Sequence, residues 1–486
     1  MRSLVDAVVG PRRGDALASV GTYIALATAN RVVAPCSKLA FSEWWDKTAG
    51  DRLVRLPVGA TDHRRFWNAM DQISPGQLVE IEEAITKAAI ETFSLNCGGL
   101  VLDMTNFATY IDSANPRAPI ARRGHAKQKR NDLRLVGLGL VVTRDGGVPL
   151  CSHAYAGDRP DVTQFADVVE LLARRFAPLA PAAELTVVYD AGQDSAHNQS
   201  VIEATGMHFV GALRPSDHPD LLAVNRRRYR PLDEEAFPGV RAFEARTVAL
   251  GSLRRVVVTH SDELHHKQSR GFDQTMAKAR RCLVELQRTL SGGRSRRGRA
   301  AIEAEIAEIT RARWVRRCIE TRLTGERPGG FVLKIEEDPA RRALLEEEVF
   351  GKRILFTDHE DWTVPEIVGA YRSQWHVEAD FRQMKDPTVV SFSPMFHWTE
   401  QKIRVHVFYC VLALLVARLM VREAERAGLA ISVRQLLGSL AGIEETVLLY
   451  PSTGGRPRAR RMLTEMDPTQ ERLFELFGLG AYAPQR

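Results

Sequence analysis

The stretch GGLVLDMTNFATYI, residues 98–111, predicts a β-strand that carries an acidic residue, Asp103. A short apolar run with β-branched residues, followed by alternation of polar and apolar residues, is typical of a strand. Two more strands are predicted in LRLVGLGLVVTRDGG (residues 133–147) and VPLCSHAYAGD (residues 148–158). The Asp-Gly-Gly turn between these two favours a hairpin. The three strands therefore predict a meander.

Alternating units follow the meander. FADVVELLARRF (residues 165–176) predicts an amphipathic helix, and ELTVVYDAGQDS (residues 184–195) predicts a buried strand that ends at Asp190. A short helix and a further strand, HFVGALRP (residues 208–215), complete the series. This order predicts an α/β fold, a mixed sheet with helices on both faces. It resembles ribonuclease-H-like folds, in which the first strand carries one metal-binding acid and the fourth ends at another.

The stretch YRSQWHVEADFRQMK, residues 371–385, predicts a helix, because it contains neither Pro nor Gly. Tyr371, Trp375, Glu378 and Arg382 recur at three- and four-residue spacings, which places them along one face. A Glu among Tyr, Arg and Lys suits a metal ion beside a phosphate, since it offers a hard oxygen ligand flanked by donors and positive charge. An ordinary charged surface helix is the alternative interpretation.

Asp103, Asp190 and Glu378 lie on three separate predicted elements. Two-metal phosphodiester chemistry needs carboxylates that converge from such elements on two divalent ions roughly 3.5–4 Å apart. We expect two Mg²⁺ ions, with Mn²⁺ as an alternative, because Mg²⁺ binds few carboxylates and keeps waters or phosphate oxygens. The sequence has no phosphate loop, dinucleotide fingerprint or nucleophilic Ser or Cys motif that would indicate another chemistry. Ordinary strand-end acids are the alternative.

The bulk properties of the 486 residues are those of a soluble globular protein with two or three domains, since 44% are hydrophobic and 26% charged. The net charge of +7 favours an anionic partner such as nucleic acid, although mildly basic proteins are common. Six scattered cysteines, with no Cys-x-x-Cys pair, argue against a zinc site or a disulfide framework. There is no signal-peptide pattern, and residues 405–420 predict a buried helix rather than a membrane span. We expect a cytoplasmic protein.

Composition and pattern divide the chain into five regions. The N-terminal region is predicted to be helical, and it either binds DNA or packs on the core. Residues 263–323 of the insertion are predicted to form an Arg-rich helical hairpin, which is broken at residues 291–299. The regions are the helical N-terminal region (1–95), the first part of the ribonuclease-H-like core (96–213), an insertion with strands and the hairpin (214–365), the completion of the core with the Glu helix and the buried helix (366–425), and a helical C-terminal region with a candidate dimerisation role (426–486).

Six blocks of the sequence, in order, resemble DDE-type insertion-sequence transposases. They are LVLDMTNF, RRGHAKQKRNDL, VVYDAGQDSAHN, GKRILFTDHED, YRSQWHVEADFRQMK and MFHWTEQKIRVHVFYCVLAL, and the similarity covers about residues 15 to 440. Within this family, Tyr371, Glu378 and Lys385 match the branch with a Tyr-Arg-Glu-Lys signature. Gln374 occupies the position of the signature's Arg.

The resemblance implies a DNA transposase that cuts the ends of its mobile element and joins them to target DNA. It implies a homodimer that acts on double-stranded DNA. The expected location is the bacterial cytoplasm, at the nucleoid when the protein is bound to DNA. A DNA-binding copy without cleavage, domesticated or defective, is one alternative, and a ribonuclease-H-like nuclease without strand transfer is the other. No membrane partner is expected. The implied catalytic and metal-binding residues are Asp103, Asp190 and Glu378, and the expected DNA-binding residues are Tyr371, Trp375, Arg382, Lys385, Lys127, Lys129 and Arg130.

We expect Gln374→Arg to raise the rate at which the protein cleaves element-end DNA. Neutral Gln cannot make the charged, bidentate phosphate contact that Arg makes. The rate is measured on a labelled end duplex with Mg²⁺, and Gln374→Lys serves as the comparison because it adds charge without the fork. An unchanged or lower rate for Gln374→Arg would contradict this interpretation of the position.

Overall fold

The structure is a computed structural model in which residues 1–127, 130, 132–178, 180–451 and 458–484 are described. The chain divides into two compact units. The first unit consists of Met1–Val210 and Ala370–Arg486, and the second of Gly211–Gly369. The first unit is therefore assembled from two distant parts of the sequence.

The N-terminal region of the first unit is helical, in agreement with the sequence. Ser19 caps α2 by accepting a hydrogen bond from the backbone N–H of Thr22, and Ser74 and Gln77 form a capping box at α6. Such caps satisfy backbone donors that a helix start leaves without partners. The helices are α1 (Arg2–Val9), α2 (Val20–Val33), α3 (Phe41–Asp46), α4 (Gly50–Leu53), α5 (His63–Met70) and α6 (Pro75–Phe93).

The strands of the first unit lie in the order β3-β2-β1-β4-β5. β1 pairs antiparallel with β2, which pairs antiparallel with β3, whereas β1 with β4 and β4 with β5 are parallel. This topology confirms the predicted ribonuclease-H-like mixed sheet. The elements are β1 (Gly99–Thr109), β2 (Arg134–Thr143), β3 (Pro149–Ala156), α7 (Asp161–Phe176), β4 (Thr186–Val188), α8 (Ala196–Thr205) and β5 (His208–Leu213).

Helices cover both faces of this sheet. Met104 of β1 is paired with Gly139 of β2, and a Cβ added at Gly139 would meet Val168 of α7 at 3.2 Å. The next residue of β1, Thr105, points to the opposite face, where its hydroxyl accepts a hydrogen bond from Lys385 Nζ at 2.7 Å. The helix that ends before Lys385 therefore lies on the face opposite α7, and the prediction of helices on both faces is confirmed.

The predicted Glu-bearing helix is two helices, α14 (Val364–Arg372) and α15 (Gln374–Met384). The interruption is Ser373, whose N–H donates to the carbonyl of Ala370 at 3.2 Å. Its Oγ donates to the same carbonyl at 2.5 Å. Such three-residue bonding tightens a helical turn without changing its direction greatly. The prediction of a single uninterrupted helix is therefore wrong at this one residue.

The predicted buried helix is confirmed as α16 (Glu400–Arg426). Among the described residues it is the one helix long and apolar enough to cross a membrane, and 78% of its apolar window is buried inside the protein. A helix that is hydrophobic around most of its circumference is expected to lie in a core. In this unit α16 contacts α2, α6 and β3.

The second unit contains an antiparallel set of strands in the order β11-β8-β7-β6 and a helical part with its own core. The break at residues 291–299 does separate two helices, α10 and α11, but the predicted helicity to residue 323 is wrong. Ile319–Thr324 is a strand that pairs with Val332–Glu337, because its β-branched residues favour a half-buried, pleated arrangement. The elements are α9 (Pro219–Leu222), β6 (Arg230–Pro231), β7 (Val240–Ala249), β8 (Ser252–Ser261), α10 (Asp262–Ser291), α11 (Arg299–Ile309), α12 (Val315–Cys318), β9 (Ile319–Thr324), β10 (Val332–Glu337), α13 (Pro339–Glu348) and β11 (Lys352–Thr357).

The C-terminal region, which the sequence predicted to be helical, also contains an antiparallel hairpin. Helices α17 (Val433–Ala441) and α18 (Pro468–Leu476) flank the strands β12 (Glu445–Tyr450) and β13 (Arg458–Leu463). The run of Thr446 to Tyr450 is largely exposed. Cross-strand pairing rather than core burial therefore stabilises this hairpin.

We expect Arg418→Met to destabilise the first unit. Asp380 of α15 is fully buried and its carboxylate is paired with Arg418 of α16. Removal of one partner of a buried pair leaves an uncompensated charge and costs about 3–5 kcal/mol of unfolding free energy. The measurement is the thermal unfolding midpoint by circular dichroism.

Two further variants test this assignment. Arg426→Met is the matched control, because Arg426 is on the surface of the same helix and pairs with Glu423 in solvent. The double variant Asp380→Leu with Arg418→Met is expected to regain most of the lost stability. Equal midpoints for Arg418→Met and Arg426→Met would contradict the role of the buried pair.

Candidate active site

The parallel pairing of β1 with β4 places two of the predicted acids next to each other. Val101 is paired with Val188, so that two residues further along are Asp103 and Asp190. Adjacent strands lie about 4.8 Å apart, and residues two apart on a strand point to the same side. Asp190 keeps an extended backbone, with φ −90° and ψ 162°. The two carboxylates therefore lie side by side, that of Asp103 within β1 and that of Asp190 just beyond the carboxyl end of β4.

The electrostatics of Asp103 agree with this placement. Burial raises the pKa of Asp103 to about 6, and the negative charges of Asp190 and Asp161 raise it too. The charge of Lys127 and a hydrogen bond from the Met104 backbone N–H, at 2.7 Å, lower it. Each effect acts on the charged form of the carboxyl, by desolvation, repulsion or attraction. Desolvation is thus the largest influence on the pKa of Asp103, and the charge of Lys127 is the largest one that opposes it.

Tyr371 connects α14 to the second acid. Its hydroxyl donates a hydrogen bond to Asp190 Oδ1 at 2.8 Å, and its side chain is buried. The carboxylate of Asp190 itself is exposed. The bond fixes the orientation of this carboxylate and shows that Asp190 faces the side of the sheet on which α14 and α15 lie.

Lys385 at the other end of α15 also points to this face. Its ammonium group donates to Thr105 Oγ1 and lies 5.6 Å from the centroid of the Phe107 ring. Thr105 is two residues from Asp103 and therefore on the same side of β1. Burial lowers the pKa of Lys385, the charge of Lys127 lowers it too, and the charge of Asp103 raises it.

Glu378 lies midway between these two anchors. It is seven residues from each of them in sequence, and along α15 the seven helical steps of about 100° from Glu378 to Lys385 return to within about 20° of the same direction. α15 packs against β1. Glu378 is exposed, and its carboxylate has no hydrogen-bond or ion-pair partner in the part of the chain that the structure describes. The third predicted acid is thus on the face of the sheet that carries the other two, with its oxygens free.

Asp161 was not predicted as a site residue, yet the structure brings it to this site. It lies at the start of α7, where its carboxylate accepts a hydrogen bond from Tyr155 Oη at 2.6 Å. The same carboxylate forms an ion pair with Lys127 Nζ at 2.8 Å. Lys127 Nζ also donates to the Met104 carbonyl. Gly137 makes room for Tyr155, since a Cβ there would lie 2.2 Å from the ring. Asp161 thereby holds Lys127 against the strand that carries Asp103.

The remaining predicted DNA-binding residues have different surroundings. Trp375 is 53% exposed, and the centroid of its ring lies 3.9 Å from that of His376. Arg382 is exposed. Arg130 forms a bidentate contact with Asp132. Lys129 lies outside the described residues. Their contacts with DNA stay predictions.

Gln374, the departure from the family signature, has a buried side-chain amide. Its Nε2 has no hydrogen-bond partner among the described residues. A buried donor without a partner costs about 1–3 kcal/mol. Gln374 is therefore not explained by a structural hydrogen bond at this position.

The acids can hold divalent cations. Asp103 within β1 and Asp190 after β4 offer carboxylate oxygens, the hard ligands that Mg²⁺ prefers. A bound cation would relieve the repulsion between the two carboxylates. The carboxylate of Glu378, which has no partner among the described residues, offers further oxygen ligands. The oxygen donors of Asp103 and Asp190 therefore suit a divalent ion, whereas the oxygens of these two acids and of Glu378 do not all lie within 4.8 Å of one another.

Strand order and the paired acids define the class of the protein, a ribonuclease-H-like domain with an acidic centre. The profile of the family described as Transposase DDE domain matches residues 99–415, which is more than half of the chain. The protein therefore belongs to this transposase family, whose members generally use divalent metal ions. The Tyr-Arg-Glu-Lys branch stays a prediction.

Two further comparisons complete this result. No curated protein matches the sequence. Among solved structures, the chain is similar to piggyBac transposase in a cryo-EM structure of its synaptic complex with hairpin DNA, at 9% sequence identity and a TM-score of 0.41. The similarity covers 91% of this chain and 76% of that chain.

We expect Lys127→Met to raise the pKa of Asp103 above its value of about 6, because the lysine charge lowers that pKa. The carboxyl would then stay protonated to higher pH. The measurement is a ¹³C NMR titration of aspartate-labelled protein without divalent ions, with the Asp103 signal assigned from Asp103→Asn. Arg130→Met is the control, since Arg130 is paired with Asp132. A fall in the pKa of Asp103 in Lys127→Met would contradict the assignment.

Proposed function

We propose that the protein is a DNA transposase that cuts the ends of its mobile element and joins them to target DNA. Water would attack a phosphodiester at the element end and leave a 3′ hydroxyl. That hydroxyl would then attack a phosphodiester of the target, whose own 3′ oxygen would leave. The observation that carries the proposal is the pairing register that sets Asp103 beside Asp190 in a chain of the transposase family.

Asp103, Asp190 and Glu378 would hold two divalent ions, Mg²⁺ or Mn²⁺. When bound, such ions supply activation of the attacking oxygen and stabilisation of the leaving oxygen. The chain's own contribution is to position these acids: Tyr371 orients the carboxylate of Asp190, and the pairing of Asp380 with Arg418 holds α15. Burial of Asp380 raises its pKa to about 7, which the charge of Arg418 opposes.

The proposed partner is double-stranded DNA, both element ends and target. The net charge of +7 supports an anionic partner. Burial is the main cause of the lowered pKa of Lys385, and repulsion from Lys127 adds to it. Two neighbouring ammonium groups favour an anion near them. A homodimer on paired ends, acting in the bacterial cytoplasm at the nucleoid, belongs to the same proposal, and the hairpin of α10 and α11 or the C-terminal region would be candidates for its interface.

We expect Asp103→Asn, Asp190→Asn and Glu378→Gln each to abolish cleavage and strand transfer while binding of end DNA persists. Each amide keeps the shape of the acid but removes a charged oxygen ligand. The assay uses a labelled end duplex, a target plasmid and Mg²⁺, and EDTA is expected to have the same effect on the unmodified protein. Glu170→Gln, an exposed acid of α7, is the matched control.

The products separate the alternatives. Strand-transfer products lost in the three variants support the transposase. Nicked DNA without joining would indicate a nuclease instead. Retarded but uncut DNA with the unmodified protein would indicate a DNA-binding copy without cleavage, and activity that survives Asp190→Asn would contradict the assigned acids.

A further inference from the structure

Two exposed aromatic side chains project from the segment between α15 and α16. Phe396 is 71% exposed and Trp398 is 60% exposed, whereas His397 between them is 6% exposed. Successive side chains of an extended segment point to opposite sides. Both aromatic rings therefore point toward solvent, whereas the side chain of His397 is buried in the protein.

The backbone that carries these rings is held in place. Asn115 Nδ2 donates to the Trp398 carbonyl at 2.7 Å, and the Glu400 N–H donates to the Arg117 carbonyl at 2.8 Å. Arg31, which is buried, donates to the carbonyls of Ser393 and Pro394 at 2.8 and 3.0 Å. A partner that binds to fixed rings loses little free energy to the ordering of the protein. This argues for a preformed surface.

An arginine lies against one ring of the aromatic pair. The guanidinium of Arg117, itself exposed, lies 5.4 Å from the centroid of the Trp398 ring. Residues 110–127, the basic loop to which Arg117 belongs, contain four basic residues and one acidic residue. Exposed aromatic rings beside an arginine suit the stacking of nucleic-acid bases.

A line of ring contacts connects this surface with the candidate active site. Lys385 lies over Phe107, and Phe107 stacks on Phe392 with centroids 4.4 Å apart and planes at 19°. Phe396 is four residues beyond Phe392, at most about 14 Å along an extended chain. Phe392 therefore ties the segment that carries the aromatic pair to β1 beside Lys385.

We propose that Phe396, Trp398 and Arg117 form a binding surface for the unpaired bases of single-stranded DNA. One face of the Trp398 ring lies against Arg117, and a base would stack on the exposed remainder. Stacking of this kind tolerates any base, and the basic loop would contact the phosphates. The role of the surface in handling strands near the cut rests on the proposed function, but binding itself does not.

The test measures binding of a labelled oligothymidylate to the full chain by fluorescence anisotropy, in EDTA and at one fixed salt concentration. Trp398→Ala and Phe396→Ala are each expected to weaken binding roughly tenfold or more, and Trp398→Phe to retain most of the affinity. Tyr482→Ala, which removes another exposed ring (62% exposed), is the control and is expected to bind normally.

Two results would overturn the proposal. One is that Trp398→Ala and Phe396→Ala bind the oligonucleotide as tightly as Tyr482→Ala does. The other is that light scattering shows Trp398→Ala converting a dimer to a monomer with unchanged DNA affinity, which would make the surface an interface between copies. If Trp398→Ala loses affinity for the oligonucleotide and the unmodified protein has no transposition activity, the binding surface is supported. Only the proposed transposition chemistry is then contradicted.

Discussion

The pairing of β1 with β4 is the constraint on which the rest of the site depends. β4 has only three residues, and its position is fixed by a hydrogen bond from Thr186 N–H to the Gly98 carbonyl and one from Tyr189 N–H to the Val210 carbonyl. A slip of one residue would turn the side chains of a strand to the other face of the sheet. Asp190 would then face away from Asp103, and no movement of α15 could restore the set of three acids.

Packing and charge balance hold the third acid in place. The buried pair of Asp380 and Arg418 ties α15 to the core helix α16. The hydrogen bond of Lys385 ties the end of α15 to β1, and that of Tyr371 ties the preceding helix, α14, to Asp190. Around the acids, Lys127 offsets part of the negative charge and is itself held by Asp161. The site thus combines a rigid frame with an excess of carboxylate oxygens, which is the combination that divalent cations require.

The sequence predicted most of the sheet but less of the surroundings of the site. The strands of the first unit were predicted because their apolar patterns are local and their order is characteristic. The strand Ile319–Thr324 and the C-terminal hairpin were missed, since short strands with one exposed side resemble charged helices in pattern. Asp161 was missed because its partners, Tyr155 and Lys127, are brought to it only by the sheet, and no spacing in the chain indicates that contact.

By itself, the sequence determined which residues could carry the chemistry: an acid within one strand, an acid at the end of another, and a Glu on a helix between a Tyr and a Lys. These are local properties of hydrophobic period and residue type. The tertiary structure alone decided that Asp103 and Asp190 are neighbours, that burial and repulsion raise the pKa of Asp103, and that Trp398 is exposed beside Arg117. The physical reason is that register, desolvation and exposure arise from contacts between segments far apart in the chain.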